Sequence, residues 1–208
     1  MNQSTRDLLR AAAKEFSELS YIRPEDVPDI PLYMDQITSF MDAKLETCKR
    51  HPDDKILTKT MINNYTKNKL IPPPEKKKYS RDHLLLLIYV YYLKDFLQIS
   101  DIQTLLQPLE EHFFQKDGEL SMPDIYETAV EIVSGQKEEM MKDLVRRFEI
   151  ARKAFPEAEK DEENYLQIFS FVTLLSFDVY VKKKLIESIV DQMLQKESGR
   201  SGKKDKKD

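Results

Sequence analysis

Apolar positions recur along this chain mostly at steps of three and four, the spacing that places side chains on one face of an α-helix. Leu8, Leu9, Ala12, Phe16 and Leu19 follow a cap at Ser4, with Asp7 three residues on, and predict an N-terminal packing helix. Pro24, Pro28 and Pro31 then predict an extended connector over 21–31, since each removes a backbone donor and steers its predecessor away from helix. Met34, Ile37, Met41, Leu45 and Cys48 form the stripe of a helix over 33–49. Thr58 is placed to cap a second helix over 58–68 whose Met61, Ile62 and Tyr65 turn inward, leaving Lys59, Thr60, Asn63, Asn64 and Lys67 toward solvent.

Pro72, Pro73 and Pro74 stop that helix, and the EKKKYS segment after them reads as a short exposed turn returning at Tyr79, a small wing. Ser80 caps an apolar helix over 81–96. Its run LLLLIYVYYL is ten residues long, against roughly 20 for a bilayer span, so it reads as a buried central helix. Ser100 caps a shorter helix over 99–106, and Pro108 or the Asp117-Gly118 turn ends the domain. Ser121 and Pro123 open a helix carrying Ile125, Ala129, Ile132 and Val133, with Gly135 to close it. Met141, Leu144, Val145, Phe148, Ala151 and Phe155 share the face of another before Pro156. A long last helix covers 161–196, apolar over 165–181 and amphipathic at Leu185, Ile186, Ile189, Val190 and Met193. The tail 197–208 lacks apolar residues and reads as disordered. No internal repeat is visible.

Composition narrows the class to all-α. Charged residues make up 34% and glycines number four, which suits long helices with solvated outer faces better than a sheet protein with its turns. The single cysteine, Cys48, rules out an intramolecular disulfide framework. With no secretory pattern at the N-terminus and no long apolar span, a cytoplasmic location and no membrane partner are expected.

Charge changes the picture at one place. The segment 55–81 holds eight basic residues against one acid, a net of +7 in a chain of formal net charge −4, so the remainder carries −11. A sign reversal confined to a helix and a Pro-braced turn is the footprint expected of a phosphate-binding surface. Two helices joined by a short loop, the second bearing exposed Thr, Asn and Lys, can place that second helix in the major groove. Asn63 and Asn64 are the leading base-reading candidates, because Asn pairs bidentately with adenine. Lys59, Thr60 and Lys67 flank them, and Tyr65, chiefly a packing residue, adds a hydroxyl within reach of a phosphate. Lys76, Lys77 and Lys78 on the wing would give salt-dependent affinity with little sequence choice.

The order LTKTMINNYTKNKLIPPPEKKKYS followed by RDHLLLLIYVYYLKDFLQISDIQTLL resembles the winged helix-turn-helix domain of MerR-type regulators. Tyr65, Leu70, Pro74, Tyr79, Ser80 and the 99–106 segment stand in corresponding order. Together with LYMDQITSFMDAKL, the same stretch is similar to an uncharacterised bacterial family known only as a domain of unknown function. The resemblance covers 30–107 and departs from the MerR pattern in three respects: Asn63 stands where Arg is usual, Lys69 where the helix-ending Gly is usual, and the wing is shorter. It implies a DNA-binding domain at 30–107, preceded by a helix and connector over 1–29. A helical dimerisation or effector domain follows over 108–196, then the tail 197–208.

Enzyme chemistry finds no foothold. Gly118, Gly135, Gly199 and Gly202 form no phosphate-cradling loop, and His51, His83 and His112 stand at no metal-ligand spacing, so no cofactor is expected. The reading is a homodimeric transcriptional regulator that binds double-stranded DNA, with a small molecule or a protein as effector of the C-terminal domain. The alternative is an all-helical adaptor whose basic patch holds an acidic partner protein.

Overall fold

A computed structural model describes residues 5–18, 21–116 and 118–204. It is mostly helical, with a two-stranded sheet and a long C-terminal helix. The chain forms two compact units: Tyr21–Val130 with Leu185–Asp208, and Met1–Ser20 with Glu131–Lys184. These cut the chain differently from the sequence boundaries near 29 and 107. The cap expected at Ser4, the apolar Leu19 and the Asp117 half of the Asp117-Gly118 turn lie outside the described residues.

The first unit is built around α4, Arg81–Leu93. Leu84 to Ile88 and Val90 have no exposed surface, as a helix that is apolar all round requires. Against it pack Ile37 and Met41 from α2 (Met34–Lys44), Ile62 and Tyr65 from α3 (Lys59–Lys67), Ile102 and Leu106 from α5 (Ile99–Phe113), and Met122 and Tyr126 from α6 (Met122–Gly135). The Tyr126 hydroxyl donates to the Ile22 carbonyl at 2.7 Å, tying α6 to the first residues of the unit.

Several elements differ from the periodicity reading. α2, expected to run to 49, stops at Lys44 and is followed by a 3-10 turn over Glu46–Cys48. Leu45 leaves the α region at φ −109 and ψ 14, which keeps its side chain in the core. The cap of α5 is Gln98, whose amide donates to Asp101 Oδ2 at 3.3 Å, so Ser100 lies inside the helix. That helix passes through Pro108 to Phe113. The connector after Tyr21 contains a 3-10 turn, Pro24–Asp26, and its end forms a strand, β1, Leu32–Tyr33. β1 pairs antiparallel with β2, Lys78–Tyr79, in the register Leu32↔Tyr79 and Tyr33↔Lys78. With two residues per strand, the sheet leaves the fold in the all-α class, as expected.

The second unit contains α1 (Thr5–Glu18), α7 (Lys137–Arg152) and the first part of α8 (Lys160–Lys204). Phe148 is buried and meets Phe171 edge to face at 5.6 Å. Asp143 pairs with Arg146 and Arg147, and Arg147 also reaches Asp178 at 3.2 Å. Of the face expected on α7, Val145 is exposed, as is Phe155 beyond the helix end. α8 runs past the expected end at Lys196 to Lys204.

Candidate nucleic-acid interface

The helix α3 is fixed at both ends by its own sequence. The Thr58 hydroxyl accepts the Met61 amide at 3.2 Å, the N-cap bond anticipated from the Thr. At the other end the Leu70 amide donates to the Tyr65 carbonyl at 2.8 Å and the Lys69 amide to the Thr66 carbonyl at 3.1 Å. This pair is a Schellman closure, which requires a left-handed residue at Lys69, found at φ 56. Ile62 and Tyr65 are buried, whereas Lys59, Thr60, Asn63, Asn64 and Lys67 are exposed. Tyr65, 8% exposed, thus serves as the core anchor of α3. Burial raises the pKa of its phenol, and the Asp95 charge adds to the effect.

The wing is a tight turn. The Lys78 amide donates to the Glu75 carbonyl at 2.9 Å, with Lys76 at φ 49 and Lys77 at φ 67 between them. Two central residues at positive φ are the signature of a type I′ hairpin turn, which Asn and Gly normally occupy. Lys76, Lys77 and Lys78 are all exposed, and the Lys78 ammonium lies 5.2 Å from the centre of the Tyr33 ring.

Helix and turn meet at the start of α2. Tyr33 carries Lys78 on its ring, while Asp35, two residues on, pairs with Lys59 of α3. One short piece of chain therefore holds a lysine from each basic element, and gathers them on one side of the unit. Neither Tyr33 nor Asp35 is legible as a site residue beforehand, because the pairings that bring them there are tertiary. Asp35 also places a negative charge among the cations.

Behind the turn lies His83, only 2% exposed. Its Nδ1 accepts the Ser80 amide at 3.0 Å, which assigns that nitrogen as unprotonated and the proton to Nε2. The ring packs edge to face on Tyr79 at 5.3 Å and on Phe114 at 4.7 Å. Burial pushes its pKa down to about 4, against the weaker opposing pull of the Pro73 and Pro72 carbonyls. His83 thus stays neutral and braces the junction of β2 and α4. Cys48 is half-buried in the 3-10 turn rather than on a helix stripe.

Among the described residues no group of three or more His, Cys, Asp or Glu could hold a metal ion, and no helix is long and apolar enough to cross a membrane. The fold and surface define a small, mostly helical unit with a basic helix and a basic β-turn on a shared anchor. The chain belongs to the family of the domain of unknown function DUF1836, whose model matches residues 22–129. That match coincides with the stretch Tyr21–Val130 of the first compact unit and contains every residue of the basic surface. No curated protein and no solved structure matches the chain.

Proposed function

We propose that the unit at 21–130 binds double-stranded DNA as part of a transcriptional regulator of the MerR-like winged helix-turn-helix type. α3 lies in the major groove, where Asn63 and Asn64, with Thr60, read base edges, and Lys59 and Lys67 meet phosphates or guanine. Lys76 and Lys77 at the turn tip contact the backbone alongside. The protein acts as a homodimer on a two-fold operator, and the unit at 131–184 is available to an effector.

One observation carries this reading. Of the five non-glycine residues at positive φ among those described, three are Lys69, Lys76 and Lys77. A left-handed conformation costs an L-residue about 1–2 kcal/mol, and Gly or Asn would avoid that cost at each position. Turns that keep lysine under such strain are explained by what the ammonium groups contact, since strained backbone concentrates at functional sites.

The test is a selection of bound duplexes from random DNA by the full-length protein, followed by affinity measurements over a range of salt. Enrichment of a palindromic site, with affinity falling steeply as salt rises, is the expected result. Asn63→Ala with Asn64→Ala abolishes sequence preference and leaves non-specific binding in place. A salt slope near zero, or no binding at moderate salt, overturns the proposal. Recovery of an acidic protein partner after nuclease treatment would then favour the adaptor reading.

A further inference from the structure

We infer that the outer face of the β1–β2 sheet, with the turn at one end and Gln115 at the other, is a binding cleft for a small aromatic carboxylate, one ring bearing one anionic group. Side chains alternate along a strand, and here the alternation divides the sheet in two. Leu32 and Tyr79, opposite each other in the register, are buried in the core. Pro31 and Tyr33 beside the first, with Lys78 and Ser80 beside the second, line the outer side. Lys76 from the turn and Gln115 from beyond α5 complete a cleft of about 340 Å³. That is near the lower end of the about 300–1,000 Å³ found for small-ligand sites, which sizes the guest to a single ring. Tyr33 is 51% exposed, so the cleft has an aromatic surface within reach of such a ring.

The walls are set before a guest arrives. Lys76 stands at φ 49 in a turn closed by the Lys78 amide on the Glu75 carbonyl at 2.9 Å. Gln115 also stands at φ 49, its amide donating to Asp82 Oδ2 at 2.7 Å. Two walls of one cleft are thus non-glycine residues held at positive φ, and strained backbone collects where a site is kept in shape. The Ser80 hydroxyl donates to the unprotonated Nδ1 of His83 at 2.8 Å, which fixes its rotor. Walls fixed in this way lower the ordering cost of binding. The charge of the lining selects an anion: Lys76 and Lys78 face a single acid, Glu75. Among the described residues neither lysine has a carboxylate within ion-pair distance, and Lys78 lies instead 5.2 Å from the centre of the Tyr33 ring. A bare anion would leave Pro31 and Tyr33 uncovered, whereas an aromatic ring packs on both. The inference does not rest on the DNA reading, and its test contains no nucleic acid, so either can fail alone. Where both hold, the guest takes Lys76 and Lys78 from the phosphates.

The experiment titrates benzoate into the full-length protein and follows the backbone amides by NMR. Saturable shifts centred on Tyr33, Lys76, Lys78, Ser80 and Gln115 are the expected result. No saturation by about 10 mM, enough to fill nine-tenths of a site with a Kd of about 1 mM, overturns the inference, as do shifts centred elsewhere. Lys78→Gln, at an exposed position, weakens binding about tenfold, the loss for one charge-assisted bond. Lys55→Gln removes the same charge outside the cleft and changes affinity less than about twofold in moderate salt. Equal losses in these two variants would reduce the effect to bulk charge and overturn the site. Tyr33→Leu keeps an apolar floor without the ring; it weakens benzoate about fivefold and leaves cyclohexanecarboxylate unchanged. Equal loss for both acids overturns the aromatic assignment. Inorganic phosphate binding as tightly as benzoate would make the cleft a site for any anion and overturn it as well.

Discussion

α4 and the first part of α8 carry comparable runs of apolar side chains and end in opposite environments. Leu84 to Ile88 of α4 are fully enclosed, while Tyr165, Phe169, Val172, Phe177 and Val179 of α8 stand in solvent. Hydrophobicity along the chain does not separate them. What separates them is how many neighbours each helix receives from its own chain: α4 is ringed by residues of α2, α3, α5 and α6. Apolar content therefore reports a demand for cover, and only the fold shows whether the same chain meets it.

The largest effect expected from this contrast is on stability. Leu86→Ala in α4 should lower the unfolding free energy by about 2–5 kcal/mol, the range for removing a fully buried leucine side chain. Val172→Ala in α8, where the side chain is exposed, should change it by less than about 0.5 kcal/mol. Urea unfolding of the two variants measures the difference. If Val172→Ala destabilised the monomer as much as Leu86→Ala, the contrast would be wrong.

A second effect tests the enclosure of α4 through pH. His83 lies in its first turn with a folded-state pKa of about 4, against 6.5 for the free side chain. The unfolded state therefore takes up a proton that the folded state refuses. The sign follows: the contribution is complete above pH 6.5, declines as pH falls toward 4, and changes no further below that. It amounts to about 3 kcal/mol across the window, as an order of magnitude. His83→Gln keeps an acceptor for the Ser80 amide at the same helix position and should remove most of this slope. Equal slopes in the two proteins between pH 4 and 6.5 would show that His83 is not held neutral.

How much of this surface could be read from sequence depended on whether the signal was local. The Thr58 cap, the inward Ile62 and Tyr65, the opening of α6 at Ser121 and the enclosed α4 follow from residue types within one or two helical turns, and all are found as read. The β1–β2 pairing could not be read, because two residues per strand are too few to show alternation. The seat of Lys78 on Tyr33 depends on that pairing, and the Lys59–Asp35 pair on the packing of α3 against α2. Pro108 was misleading for a related reason: a proline removes one helical hydrogen bond, a loss that packing of Ile102 and Leu106 on the core can outweigh.

The basic turn gives a prediction in which stability and binding move in opposite directions. Lys76→Asn with Lys77→Gly places the preferred type I′ residues where lysines now hold φ 49 and φ 67. The double variant should gain about 1–2 kcal/mol of stability. It should also lose affinity for all DNA sequences about equally, with the salt slope shallower by about one per lysine removed. A thermal melt and a salt titration decide it. Gain in stability without loss of affinity would mean that the turn lysines do not touch the nucleic acid.

The smallest expected effect concerns Asp35, and it isolates the electrostatics of α3. The Lys59–Asp35 pair is exposed, with side-chain exposures of 61% and 75%, so breaking it should change stability by less than about 0.5 kcal/mol. Its weight on binding is different, because any phosphate approaching Lys59 competes with a carboxylate already seated there. Asp35→Asn keeps the size of the side chain and withdraws the charge. Affinity for non-specific duplex should rise a few-fold at low salt, and the gain should shrink as salt screens the surface. Asp35→Asn in a protein that also carries Lys59→Ala should give less, since the competition has lost its object while the general repulsion between Asp35 and phosphate persists. A full gain in that background would assign the effect to bulk charge; no gain in either would place the start of α3 away from the DNA backbone.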